Sequence, residues 1–299
     1  MKRWLPLSLI LLAGIAAIVA AQWQHIATRP SAQAILSATA DAQHEMTRVP
    51  SRLDRMSDAD EISIGNQLAA NYTNIDRHSP QTSVATQATE AYLQIVGDRV
   101  ALHARRKLPW KFHYISDPHF VNAFALPGGH VFIGQGLITL MHSEDALAAI
   151  LGHEVEHIDL RHCSERIQTE AHLRDLGPLG DLVGLPVEVF MAGYSKEQEL
   201  EADRDGTALA VAAGYSPLGV VQLFTEFEKL EGQQAAANHP ATPIDEATQL
   251  SLQTLEGYFE SHPPSAQREQ QLRELIQSQH WPTPPMRPLR MPALKVLPH

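Results

Sequence analysis

The stretch that most constrains this chain is His153-Glu154-Val155-Glu156-His157, set inside an apolar-periodic run that begins near Ser143. On a helix, positions four apart lie one above the other, so His153 and His157 can face a single metal ion. Glu154 stands one residue off that stripe. There it reaches a water on the metal without taking a coordination place, the position of a general base in a zinc peptidase. The pattern therefore asks for a buried helix and one Zn2+ per chain. With 16 His among 299 residues such a pattern can also arise by chance, so the rest of the chain must supply a scaffold and a third ligand.

Hydrophobic residues at 44% and charged residues at 19% describe a globular chain. A formal net charge of -11 without a basic stripe excludes nucleic acid as the main partner. Cys163, the single cysteine, excludes internal disulfides and multi-cysteine zinc sites, and reads as a buried, inert thiol. Lys2 and Arg3 precede an uncharged apolar run from Trp4 to Ala21. Residues 1–22 read as a signal peptide, with Val19-Ala20-Ala21 suited to cleavage, or as an N-terminal membrane anchor that associates with the bilayer through residues 4–21. The flanking charges send the rest of the chain to the outer side, which predicts a periplasmic or cell-envelope location. Residues 23–50 form a stalk or linker, 51–280 a metallopeptidase domain, and 281–299 a Pro-rich disordered tail.

Ser57 caps a first helix, and a second runs over Gln87–Arg105. From Trp110 the period changes to two, giving a strand to Ile115. Val121–Leu126 and His130–Ile133 make a hairpin around Pro127-Gly128-Gly129. Ser143 caps the central helix, which is expected to reach about Cys163. Leu176–Tyr194 is apolar but punctuated by Gly and Pro, as a mobile lid beside the cleft or an ordinary packed loop. Further helices are expected over Lys196–Ala213, Ser216–Leu230, Glu246–Tyr258 and Ser265–Gln277. The fold class is α+β: a small sheet on helices that carry the metal.

A catalytic zinc wants three protein ligands and one open place. Leu160 and Cys163 stand where a metzincin has Gly and His, which excludes that class. His162, on a continuous helix, lies about 140° from His157 and points elsewhere, at the surface or behind the ligands. The helix containing EQELEADRDG crowds Glu197, Glu199, Glu201, Asp203 and Asp205 together. Such a run is commonly a solvated face. Glu201, four before Asp205, gives an ExxxD arrangement in which Glu201 binds the metal and an Asp of this helix orients a ligand histidine.

Four motifs in order, NAFALPGG at Asn122–Gly129, HEVEH with the following His162, EADR at Glu201–Arg204 and SHPPSAQR at Ser261–Arg268, carry a resemblance. Over about Ser57–Gln277 the chain resembles the zinc metallopeptidases of the HtpX, BepA and CAAX prenyl protease type, a gluzincin family. The resemblance implies a mostly helical zincin-type domain with a small mixed sheet whose edge strand lies over the zinc helix. It implies His153, His157 and Glu201 as zinc ligands, Glu154 as catalytic base, and Asp203, with Asp205 beside it, behind the ligands. It makes Asn122, Ala123, Phe124 and Ala125 a strand to which a polypeptide substrate adds. It lets His262 take the open metal position and hold the enzyme latent, and leaves Tyr194, His262 and Arg268 as candidates for oxyanion stabilisation. The several membrane spans of HtpX-like members and the helical repeat of BepA are not recognisable. The expected activity is hydrolysis of misfolded or unassembled envelope proteins. The alternative is a zinc-bearing chaperone that binds extended chains with little cutting.

Overall fold

A computed structural model describes residues 56–76, 84–173, 187–191, 193–236, 262 and 266–291, all within the compact unit Leu36–His299. The leader or anchor at 1–22, the stalk at 23–50, most of the lid segment and the helix expected over Glu246–Tyr258 lie outside the described residues. No described helix is long and apolar enough to cross a membrane.

Helices α1 (Asp58–Asp76) and α2 (Val84–Ala101) precede β1 (Lys111–Ile115), β2 (Ala123–Leu126) and β3 (His130–Gly134). Ser57 caps α1, its Oγ accepting from Asp60 N at 3.1 Å. β1 runs parallel to β3 and β2 antiparallel to it, in the order β1-β3-β2, so the sheet is small and mixed. The β2–β3 hairpin turns through a 3-10 segment, Pro127–Gly129, where Gly128 takes φ 77°. A Cβ there would stand 2.6 Å from Glu61 O of α1, so glycine serves both the turn and the close approach. Gln94 of α2 covers the outer edge of β1: its Oε1 accepts from Phe112 N and its Nε2 donates to Trp110 O, each at 3.1 Å. β2 is wholly buried. Its Ala125 O accepts from Cys163 Sγ at 3.6 Å.

After α3 (Gln135–Thr139), the central helix α4 (Glu144–Asp159) is buried along its whole length. Ser143 caps it as expected, accepting from Ala146 N at 3.1 Å. It does not reach Cys163. Leu160 closes α4, Arg161 takes φ 70°, and α5 (His162–Leu173) starts in a new direction. A left-handed arginine is strained by the order of 1–3 kcal/mol and persists only where its surroundings fix it. Here its guanidinium bonds Asp58, Glu61 and Met56 O.

Short α6 (Glu188–Met191) leads to α7 (Lys196–Ala212), α8 (Leu218–Ala236) and α9 (Ala266–Gln279). α7 opens on a reciprocal capping box between Ser195 and Gln198. α7 packs closely on α4 because two glycines meet: a Cβ on Gly206 would lie 2.6 Å from His153 N and 2.8 Å from Gly152 O. The tail expected to be disordered is, over 281–291, laid against the start of α4. Arg287 O accepts from Glu144 N at 2.9 Å, Arg287 N donates to Asp145 at 2.6 Å, and Pro288 bridges Ser143. Asp145 and Ser143 supply polar partners that no local pattern in the tail announces.

Candidate active site

The helix crossing at Gly152 and Gly206 brings α7 carboxylates beside α4 imidazoles. His153, His157, Glu199 and His262 each point one donor atom into a common centre, all within 4.8 Å of one another and all buried. Five donor separations describe it. His153 Nε2 lies 3.0 Å from His157 Nε2, 3.1 Å from His262 Nδ1 and 3.5 Å from Glu199 Oε2. Glu199 Oε1 lies 3.4 Å from His157 Nε2 and 3.2 Å from His262 Nδ1. Zinc bonds of about 2.0 Å in a tetrahedron set ligand atoms about 3.3 Å apart. The donor set and its spacing therefore fit Zn2+.

The carboxylate in this cluster is Glu199, not the expected Glu201. Glu199 is four residues before Asp203, so the ExxxD spacing is present one pair earlier than the one selected above. Residues two apart on a helix point about 200° from each other, so only one of the two glutamates can face α4. Glu201, with 40% of its side chain exposed, instead lies 3.4 Å from His162 Nε2. Asp205 pairs with Arg105 and Arg204 at 2.6 Å each and takes no part in the cluster.

Behind the donors stand two chains of contacts. His153 Nδ1 meets Asp203 Oδ1 at 2.9 Å, so its proton sits there and the Nε2 lone pair faces the centre. Arg268 then grips Asp203 through Nε at 2.6 Å and Nη2 at 2.8 Å, and reaches Glu199 Oε2 at 3.0 Å. Burial pushes the Asp203 carboxyl up, but Arg268 and His153 outweigh it and hold it down at about 2. Burial opposes ionised Glu199 too, and His262 with Arg268 overcomes that, leaving its carboxyl well below the ordinary range.

The second chain passes through His162, which the break at Arg161 turns inward. His157 Nδ1 lies 2.9 Å from His162 Nδ1, and His162 Nε2 faces Glu201. For His157 Nε2 to offer a lone pair, its Nδ1–H must donate to His162, whose remaining proton points to Glu201. Glu201 thus reaches the cluster only through His162. The Tyr194 ring stacks on His157 with centroids 3.9 Å apart.

Glu154 is fully buried, and neither of its carboxylate oxygens has a hydrogen-bond partner. His262 Nε2 stands 3.3 Å from Oε1, outside hydrogen-bonding geometry. Burial, only partly offset by His262 and His153, raises the Glu154 carboxyl.

The expected substrate strand lies at the same place: His262 Nε2 is 3.4 Å from Ala123 O. Asn122 Oδ1 accepts from Ala123 N at 2.8 Å, and Phe124 is a buried core ring stacked on Phe132. Of the three oxyanion candidates, Tyr194 directs its hydroxyl to Cys163 Sγ at 3.3 Å, and Arg268 is held by two carboxylates. Only His262 faces Glu154 among them. Cys163 is buried, and its thiol is pushed up to about 12 by burial.

The profile of Peptidase family M48 matches residues 87–176 and 173–276. Mitochondrial metalloendopeptidase OMA1 of Schizosaccharomyces pombe is 30% identical over 201 residues, covering 58% of this chain and 58% of that protein. Metalloprotease LoiP of Escherichia coli is 30% identical over 167 residues, covering 52% of this chain and 58% of that protein. The putative beta-barrel assembly-enhancing protease of Vibrio cholerae is 30% identical over 155 residues, covering 45% of this chain and 32% of that protein. The chain thus spans less than two thirds of the length of these relatives.

Proposed function

The chain belongs to peptidase family M48, and from that premise we propose that it is a zinc-dependent endopeptidase with Glu154 as its general base. The observation that carries this reading is the fully buried Glu154 carboxylate, 3.3 Å from His262 and beside four converging donors. A buried carboxylate is costly, and is kept where a proton has to be accepted. His153, His157 and Glu199 would hold the zinc, which would supply Lewis acidity toward a peptide carbonyl and a water. Glu154 takes the proton from the attacking water and returns it to the leaving amine. Burial raises its carboxyl, which makes it a stronger base than a solvated carboxylate. Arg268 and Asp203 hold His153, while His162 and Glu201 hold His157.

In this reading His262 fills the fourth place and covers Ala123, so the arrangement described is the latent one. A substrate strand pairs with β2 once His262 has left. Names of the relatives, among them a beta-barrel assembly-enhancing protease, support misfolded or unassembled envelope proteins as substrates and the envelope as location. The apolar run at residues 4–21, read as part of a signal peptide or a membrane anchor, supports the same location.

Degradation of an unfolded model protein by the zinc-loaded chain tests the proposal. Wild type or His262→Ala should cut, and Glu154→Gln should lose at least about 100-fold with zinc still bound. A gain in His262→Ala supports latency. No cutting by any of them, with zinc present, would replace the peptidase by a zinc-bearing chaperone.

A further inference from the structure

Among the described residues, large apolar side chains left in solvent include Val84, Ile95 and Leu102, which are 83%, 54% and 70% exposed. Leu102 directly follows α2, its N still bonded to Asp98 O at 2.9 Å. Separations of eleven and seven residues put the three within about 20° of one another on the helix, a stripe about 27 Å long. Exposed Ala91 continues it. Asp98 at its margin is held by Gln94 at 2.8 Å.

Along the other margin lies an open cleft of about 690 Å³, lined by Arg99, Arg287 and Arg290 together with Tyr92, Ile95 and Glu144. Three guanidiniums meet one carboxylate in a chain whose net charge is -11. That carboxylate is already engaged: Glu144 accepts from Tyr92 at 2.5 Å and Tyr215 at 3.1 Å, with Arg99 3.6 Å and Arg287 3.9 Å away. Arg287 is fixed over the Tyr215 ring at 4.5 Å and donates to Gly214 O. Each guanidinium has five donors, so the cleft keeps a surplus of both donors and positive charge.

A cationic cleft next to a long apolar stripe complements a phospholipid, which joins an anionic phosphate to acyl chains. The stripe is the convex flank of a helix, which suits insertion into an interface; a peptide would be gripped in a groove. We propose that this face docks on an anionic phospholipid surface, with a headgroup phosphate in the arginine cleft and Ile95 and Leu102 at the acyl boundary. Docking here is separate from the N-terminal apolar run and from the metal cluster.

An environment-sensitive dye on Ala91→Cys in the full chain reads this directly, because buried Cys163, with its thiol raised to about 12, stays unlabelled. Vesicles of phosphatidylcholine with roughly a quarter phosphatidylglycerol should move the dye into an apolar environment, and phosphatidylcholine alone should not. Arg99→Gln with Arg290→Gln should weaken the docking equilibrium roughly 30-fold, about fivefold per arginine. The same dye on Gln270→Cys of α9 should not respond. The N-terminal run is common to every variant, so it cannot create the difference between wild type and the arginine variant or between the two dye positions. Equal response to both vesicle types, or none to either, overturns the proposal. So does a response without vesicles on adding glycerol phosphate, on adding an acidic peptide, or on raising the chain concentration. Those outcomes assign the face to a soluble phosphate, a peptide or a second copy.

Discussion

At the scale of single residues, the centre separates two glutamates that the sequence presents as equivalents. Glu199→Gln should abolish stoichiometric zinc binding, whereas Glu201→Gln should keep the metal and weaken it by about tenfold through His162. Competition against a chromogenic chelator decides between them, and equal losses would reverse the assignment. Overlapping ExxxD pairs have the same local spacing, so nothing within EQELEADRDG chooses the register. The choice is made by how α7 lies on α4. His153, Glu154 and His157 were legible because their relation is internal to one helix. His162 was not, because the left-handed Arg161 resets the angle that a continuous helix would give. Away from the centre, His113 Nε2 meets His130 Nδ1 at 3.0 Å. Burial, with Lys111 nearby, pushes His113 down to about 4, and burial with His113 and Lys111 pushes His130 down to about 3. The unfolded chain binds these protons near pH 6.5, so stability is full above that value and falls as pH drops toward 4. The loss by pH 4 should be about 6 kcal/mol, roughly 3 from each histidine, and His113→Gln should about halve it. Urea unfolding at pH 7 and at mildly acidic pH, with chelator, checks the slope; an unchanged slope in His113→Gln would remove the account.

Between elements, the decisive contact is α4 against α7 at Gly152 and Gly206. Gly206→Ala would drive a methyl into His153 N and the Gly152 backbone, which no side-chain rotation relieves. Separating the helices should cost about 1–3 kcal/mol and move Glu199 away from the imidazoles. The expected result is a lower melting temperature and at least about tenfold weaker zinc binding. A variant with native metal affinity would show that the close approach is not what sets the centre. The helix caps and the hairpin were readable because Ser57, Ser143 and Pro127-Gly128-Gly129 act locally. Contacts such as Gln94 on the β1 edge join distant segments and leave no periodic trace.

Across the whole molecule, Glu61 ties three parts together. It belongs to α1, accepts from Arg106 at 2.7 Å after α2, and pairs with Arg161 at the α4–α5 break. Its side chain is completely buried, and those of both arginines are largely so. Glu61→Ala strands two poorly solvated cations and should cost about 3 kcal/mol in chemical denaturation. A change within measurement error would mean that Asp58 alone suffices. The tail strap at 281–291 acts at the same scale, holding the start of α4 through Asp145, which also accepts from Ser216 N at 2.6 Å.

The backbone at position 161 and the side chain there make opposite demands. Its φ of 70° favours glycine or asparagine, while arginine is retained for its bonds to Asp58 and Glu61. That conflict has a hereditary consequence. In a lineage where residue 61 drifts away from glutamate, nothing rewards arginine at 161, and the relaxed residues should take its place. The two positions, a hundred residues apart, are expected to be inherited as a pair or lost as a pair.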